Sequence, residues 1–464
     1  MNAMTCGDLI LVLRDMSLMV TGLEITEEPD QHGWMSAAAV TEEQMKDRLI
    51  YEGGESVGLY VVRDGSMQPV FCGILTRMEV SAAGGTCLVR LEAVTESCWM
   101  DLDLRNRSFQ DTDMSSHELI RRLTEGYPDS QVLFAIPDEP MERIAVQYQE
   151  TDWAFLKRQL AFIGAHVYAN STGQGLRLQA GLLDRPEEAA WDELPFTMIR
   201  DTAPADPGKG LKSQLVYEVE ACDILPLGAG ICFHGKEVYI GRILRNLKDG
   251  ELLSRYTLHF REGLEAVRFY NPFLSGVSIK GSVSAVRRDR LQVKLETDAV
   301  QDCRKQYFFP FSTVAASPDG SGWYCMPKAG DPVRIFFPVS DEREGYAIAN
   351  VQGESAPAQD SPMGNPDLKD ITMPDGKKLK FIKDGLQFSV GEDKGSVTLT
   401  NDGNAQITTE ADITIGAAMA VYLKTEGIMK VSAGTGIRME SDAGCSICMS
   451  DDTVEVQAAN IENN

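Results

Sequence analysis

Between Val397 and Met449 apolar residues recur every eight positions, at Leu399, Ile407, Ile415, Leu423, Val431, Met439 and Ile447. A second set stands two residues earlier in each unit, at Val397, Ala405, Ile413, Val421, Met429, Ile437 and Cys445. Residues i and i+2 of a β-strand share a face, so each pair reads as the inward side of a short strand. Thr, Ser, Asp, Glu, Lys and Gly fill the intervals, as exposed faces and turns require. A fixed period of this kind marks a repeat architecture. Each unit offers only two inward side chains, too few for one chain to close a core. Three identical chains wound about one axis would place three such pairs at every level, so the reading is a trimeric β-helical rod. A single-chain β-solenoid is the alternative, although solenoid coils usually need longer repeats.

The chain has 464 residues, enough for several domains. Lys and Arg total 44 against 69 Asp and Glu, a formal net charge of −25. That balance argues against a nucleic-acid grip and against adhesion to an anionic membrane, both of which need concentrated positive charge. Asp8, Arg14 and Asp15 interrupt the apolar N-terminus, so it does not read as a signal peptide, and no run suits a bilayer span. The protein is expected to be made in the cytoplasm, with its ten scattered cysteines reduced.

Residues 9–104 read mostly as strands. Leu59–Val62 and Val70–Ile74 flank Asp64-Gly65, a hairpin signal, and Cys87–Leu91 is a further strand. A short helix is expected from Ser116 to Glu125, capped by Ser115 or Ser116 and ended by Gly126. A second opens at Thr151 or Asp152, with Trp153, Leu156, Leu160 and Ile163 on one face, and closes at Gly164.

This second helix carries the segment Glu150-Thr-Asp-Trp-x-Phe-Leu-x-Arg158, which resembles the most recognisable stretch of the VgrG and phage baseplate-hub family. Arg107-Ser-Phe-Gln-Asp111, followed by a helix with Leu119, Ile120 and Leu123, is similar to another signature of that family. The resemblance implies a hub of two β-barrel-like subdomains with inserted short helices, which in the family forms a pseudo-sixfold ring as a trimer.

From Pro272 onward short strands follow one another: Gly276–Val286, Arg290–Glu296, Tyr307–Phe311, Trp323–Pro327, Val333–Phe337 and Tyr346–Asn350. Their number and spacing fit an OB-type barrel. Met326–Val333 resembles the strand entry of the OB domain that follows the hub in the family. The aromatics Tyr307, Phe308, Phe309 and Phe311 read as core or trimer contact rather than a base-stacking platform, so no nucleic acid is expected. Residues 354–376, rich in Pro, Ser, Gly and Asp, read as a linker. Only Pro374-Asp-Gly-Lys377 stands where the commonest proteobacterial members carry an Asn-rich neck, which leaves type VI secretion and phage-tail-like systems both open. The expected organisation is mainly β: hub 1–270, OB-fold barrel 271–353, linker 354–376 and a triple-stranded β-helix needle 377–464.

Motifs of hydrolases, zinc proteases and nucleotide-binding loops are missing. His32, His117, His166, His234 and His259 are isolated in sequence, and Cys445-Ser-Ile-Cys448 sets its thiols on opposite faces of a strand, so neither catalysis nor a metal or cofactor is expected. The needle-axis residues are expected to be Val397, Leu399, Ile407, Ile413, Ile415, Val421, Leu423, Met429, Val431, Ile437, Met439 and Ile447. After Ile447 the apolar residues, Val454 and Val456, come one place late. An extra residue in polar Ser450–Asp452, taken up by a turn, accounts for this and leaves one last strand, Thr453–Ala458. The resemblance implies a homotrimeric spike of a contractile injection system that caps the inner tube, meets tube and baseplate proteins, punctures the target envelope and leaves the cell on firing with any effector cargo. It also implies a small conical PAAR-type tip protein, with Val454, Val456 and Ile461 the candidate contacts. No toxin domain is expected after the rod. The readings from other classes are a β-helical polysaccharide-cleaving enzyme and an adhesive tail fibre.

Overall fold

Apolar and polar side chains alternate along residues 9–94, and in the computed structural model these residues close into a barrel. The structure describes residues 4–52, 55–63, 65–187, 190–204, 211–298, 305–314, 325–350, 368–373, 375–391 and 394–462. They fall into two compact units, 1–351 and 352–464. Within the first unit, β1 (Leu9–Leu13), β2 (Met16–Glu27), β3 (Trp34–Glu42), β4 (Ser56–Arg63), β5 (Ser66–Ala83) and β6 (Thr86–Val94) run in the order β1-β4-β5-β6-β3-β2. β2 pairs back onto β1, which removes both sheet edges. Leu11, Leu13, Ile25, Met35, Leu59, Phe71 and Val89 fill the interior. The β4–β5 hairpin pairs Arg63 with Ser66 around Gly65 at φ 76°; Asp64 lies outside the described residues. The short helix α1 (Lys46–Glu52) has no counterpart in the sequence reading.

A helical module follows, made of β7 (Arg105–Phe109), α2 (Ser116–Thr124), β8 (Gln131–Phe134), β9 (Ala145–Glu150), α3 (Asp152–Ala161), β10 (Val167–Ala169) and β11 (Arg177–Ala180). Both helices start as expected, with Ser115 Oγ accepting from the Glu118 amide and Thr151 Oγ1 from the Ala154 amide. The expected apolar face of α3 needs one correction. Trp153, Leu156 and Leu160 are buried, whereas Ile163 lies beyond the last turn and is exposed. Gly164, at φ 71°, turns the chain away, and the Ala165 amide caps the Leu160 carbonyl.

Six more strands form an open half-barrel: β12 (Leu183–Glu187), β13 (Phe196–Pro204), β14 (Leu211–Ala221), β15 (Ala229–Phe233), β16 (Lys236–Lys248) and β17 (Glu251–His259), in the order β13-β14-β17-β16-β15-β12. β16 also pairs with β2, from Ile243 against Glu27 to Asn246 against Glu24, so barrel and half-barrel share one sheet. At this seam a buried Arg245 donates to Glu27 and to the Leu225 carbonyl, and Ser171 Oγ donates to Glu27. Burial opposes the Arg245 charge, but Glu27 outweighs it and holds the guanidinium above its ordinary pKa.

The last part of the first unit is a small barrel of β18 (Val277–Arg287), β19 (Arg290–Leu295), β20 (Phe308–Pro310), β21 (Pro332–Phe337) and β22 (Tyr346–Ala349), in the order β20-β19-β18-β21-β22. A parallel bridge from Phe311 to Ala347 links its two ends. The first strand thus pairs with the second and fourth, and the third meets the fifth, as in an OB fold. Phe309 is fully buried, and Tyr307 and Phe311 pack against the same core. Of the expected strand at 323–327, residues 323–324 lie outside the described residues and 325–327 form no strand; most of the 354–376 linker also lies outside them.

In the second unit, β23 (Lys369–Thr372), β24 (Lys378–Ile382), β25 (Gly385–Val390), β26 (Gly395–Thr400) and β27 (Ala405–Thr409) make an antiparallel meander. β28 (Gly436–Glu440), β29 (Ser446–Ser450) and β30 (Thr453–Gln457) make another. Residues 410–435 form no strand. One chain therefore gives antiparallel sheets joined by a stretch without regular secondary structure, where the repeat predicts β-helix coils. Among the described residues the middle units of the repeat have no strand partner.

Gly73 is the tightest point of the first barrel. A Cβ there would stand 2.2 Å from the Val94 carbonyl oxygen. Gly73→Ala is expected to force β5 and β6 apart and destabilise the barrel by about 2 kcal/mol, by the usual cost of overpacking. Thermal unfolding checks it, and an unchanged midpoint contradicts it.

Candidate functional site: a hub–barrel junction

β7 and β9 pair with each other and separate the helical module from the OB barrel. Successive side chains of a strand point to opposite faces, and both strands use both faces. On β9, Ala145 joins the helical core while Val146, with Ile144 just before the strand, joins the barrel core. On β7, Phe109 stacks on Phe155 of α3 at 5.6 Å between centroids. On the other face the Ser108 amide and hydroxyl both donate to Asp298 of the barrel, at 2.6 Å each. Gln110 Nε2 donates to the barrel's Val293 carbonyl at 3.1 Å, and Lys305 pairs with Asp111 at 2.8 Å.

The polar centre is Arg158, wholly buried on α3. Its Nε and Nη2 donate to the two carboxylate oxygens of Glu150 at 3.0 and 2.8 Å, and Nη2 also to the Val146 carbonyl at 2.9 Å. Nη1 reaches Glu342, in a single 3-10 turn of the barrel between β21 and β22. Burial works against the Arg158 charge, and Glu150 and Glu342 overcome it, so the guanidinium stays protonated. Glu150 is pushed above the usual carboxylate range, because burial exceeds the help from Arg158 and Glu342 repels it. One cation serves two carboxylates.

Beside it stands a second buried group. Asp152 accepts from Arg107, from Gln147 Nε2 at 2.9 Å and from the Tyr127 hydroxyl at 2.9 Å, with Arg105 Nε at 3.1 Å. Burial, then Asp152, pushes the Tyr127 phenol up to about 12. The motif residues thus divide cleanly by task. Glu150 and Arg158 form the clamp, Thr151 caps the helix, Asp152 anchors Arg107, and Trp153, Phe155 and Leu156 fill the core. Asp298 and Glu342, the barrel's half of the junction, carry no sequence signal, since their partners lie 190 and 184 residues away.

The expected needle-axis residues are only partly brought together. Val397 pairs with Ile407, Met439 with Ile447 and Ile437 with Met449, and Leu399 lies two residues from Val397 on the same face. Ile413, Ile415, Val421, Leu423, Met429 and Val431 are in no strand, and all are exposed. Phe388, Val397, Ile407 and Ile413 help line an apolar hollow of about 570 Å³ within the second unit. The turn at Ser450–Thr453 absorbs the extra residue, so Val454 and Val456 face the same side as Met449 and Ile447. Val454, Val456 and Ile461 are exposed.

Among the described residues no group of His, Cys, Asp and Glu is arranged to hold a metal ion, and the nine described cysteines are free. Cys448 sits opposite Arg438 and Glu455, on the face away from Ile447. No described helix is long and apolar enough to cross a membrane.

Arg158→Met is expected to strand Glu150 and Glu342 in the interior and cost about 3–5 kcal/mol, as loss of one partner of a buried pair does. Arg158→Lys should recover little of this, since an ammonium cannot span two carboxylates as a planar fork does. Denaturant unfolding of both variants checks the pair of expectations, and full rescue by lysine contradicts the second.

Residues 53–194 match the phage tail baseplate hub (GPD) family. The Escherichia coli c3393 protein, described as a type VI secretion component with structural similarity to the T4 tail proteins gp27 and gp5, superposes with a TM-score of 0.52. It is 13% identical, over 73% of this chain and 98% of that one. A chain of the half-lidded Francisella PdpA-VgrG complex superposes with a TM-score of 0.53 at 7% identity, over 86% of this chain and 87% of that one. No curated protein sequence matches the chain. At these identities the superpositions establish fold, and the family match is confined to residues 53–194. Residues 53–194 thus match the phage tail baseplate hub family, and the chain shares its fold with the c3393 protein and with a chain of the PdpA-VgrG complex.

Proposed function

We propose that the protein is the trimeric hub and spike of a contractile injection particle, with a mechanical rather than catalytic role. The observation that carries this reading is the apolar face the second unit leaves uncovered. Phe388, Val397, Leu399 and Ile407 line up across paired strands, and Ile447, Met449, Val454 and Val456 do so across the last sheet, yet all are exposed in the single chain. Ordered apolar faces of this kind are normally buried against a partner. The seven-unit repeat continues through 410–435, where the chain makes no strand of its own, and identical neighbours supply matching strands at every level. The hub (1–270), barrel (271–353), linker (354–376) and needle (377–464) then take the roles the family fold supports: the hub seats on the inner tube among baseplate proteins, and the needle points forward to puncture the target envelope.

Native mass measurement is expected to give three chains; a monomer at micromolar concentration overturns the reading. Ile415→Asp or Leu423→Asp should abolish the trimeric needle while the hub stays folded, because three carboxylates would meet on a dry axis, at several kcal/mol each. Unchanged trimer content and thermal stability contradict an axial position.

Among the described residues β30 pairs only with β29, which leaves its outer edge open, and edges of this kind attract a covering partner. We infer that Val454, Val456 and Ile461 seat a PAAR-type tip protein at one copy per trimer. Deletion of Thr453–Asn464 should remove capture of that partner and leave the trimer intact; capture that survives the deletion refutes the contact.

A further inference from the structure

Three arginines converge on one cavity at the edge of the hub–barrel junction. The cavity has a volume of about 360 Å³ and is lined by Arg143, Arg268 and Arg343 around Phe162. The Arg143 guanidinium lies 3.8 Å from the Phe162 ring centroid and that of Arg268 lies 5.0 Å from it. An aromatic face attracts one cation, but two on the same ring repel each other.

Among the described residues no carboxylate forms an ion pair with either Arg143 or Arg268. Arg143 Nη2 donates to the neutral Gln159 amide at 2.6 Å, and Arg268 Nη2 donates to the Phe162 carbonyl at 3.1 Å. Arg143 Nη1 is buried with no hydrogen-bond partner. Arg343 is gripped by the Asp341 carboxylate, and Glu342, whose field reaches Arg143, is engaged by Arg158. The one carboxylate among the residues that line the cavity is the exposed Glu139. Burial foremost, and then Arg158, Arg268 and Arg343 against the help of Glu342, pushes Arg143 down to about 10. A buried donor without an acceptor costs free energy, and so does the close approach of like charges. In a chain of net charge −25 a concentration of guanidinium groups is not a by-product of composition. An oxyanion between Arg143 and Arg268 would satisfy Nη1 and remove the repulsion, since guanidinium forks match carboxylate and phosphate oxygens.

We propose that this cavity binds a small polyvalent oxyanion, a free polycarboxylate or a phosphate, held by Arg143 and Arg268 with Arg343 at its margin. The proposal is independent of the spike reading, because every residue it uses lies in the first unit.

The test is isothermal titration of the full-length protein with citrate and, separately, with inorganic phosphate, at constant ionic strength. Saturable binding at one anion per chain is expected for at least one of them, and the tighter of the two identifies the class. R268Q should bind about tenfold more weakly, the size of one charge-assisted hydrogen bond. E139Q should bind more tightly, a gain that misfolding would not produce. R143Q tests the buried donor, and R268Q keeps the test standing if R143Q does not fold. No saturable binding of either anion, or equal affinity in the wild type and R268Q, overturns the proposal.

Discussion

The Arg158 guanidinium holds the first unit in one arrangement. Its two carboxylates come from a strand 8 residues earlier and from a barrel turn 184 residues later. A buried ion pair of this kind adds little stability over an apolar replacement, since desolvation offsets most of the Coulomb gain. Its contribution is directional. A planar fork accepts carboxylates in few orientations, whereas Ile144 and Val146 in the barrel core would tolerate a slide or a small rotation. The apolar contact holds the barrel on the hub, and the ion network sets the angle at which it is held.

The same division runs through β7 and β9. Each strand sends alternate side chains into two different cores, so one residue out of register would place Ser108 and Phe109 in the wrong domain. Asp298 takes both donors of Ser108, and Gln110 reaches the Val293 carbonyl, which closes off such a slip. The seam between barrel and half-barrel repeats the device with Arg245 and Glu27. In both places a fully buried arginine sits where two separately folded cores meet. A shared polar contact specifies relative position there better than further burial would.

What the sequence could show follows from the range of each interaction. Helix caps at Ser115 and Thr151, the hairpin around Gly65 and the turn after Ser450 depend on neighbours within a few residues, and they were legible. The OB strands were legible because apolar alternation survives in short runs such as Val333–Phe337. The segments at 107–111 and 150–158 stood out as signatures, but their task did not, since Asp298 and Glu342 are unremarkable acidic residues in an acidic chain. Ile163 was misplaced for a local reason, because Gly164 ends α3 before the helical period reaches it. The arginine cavity was invisible, since Arg143, Arg268 and Arg343 come from three unconnected segments.

The two units differ in where their apolar side chains lie, and this bears on how each folds. Leu11, Phe71, Phe155, Tyr256 and Phe309 are almost fully buried within one chain, so the first unit has its own cores. In the second unit Ile415, Leu423, Val431 and Val454 all remain exposed. A meander with one open apolar face gains little from folding alone, because the surface that would offset its conformational entropy stays in water. Its order is then tied to whatever covers that face. If the cover is other copies of the chain, stability of the second unit rises with protein concentration while that of the first does not. The eight-residue spacing fits this arrangement. Two inward side chains per unit are too few for one chain and enough for a shared axis, so under the proposed trimer the repeat makes association the condition for its own core.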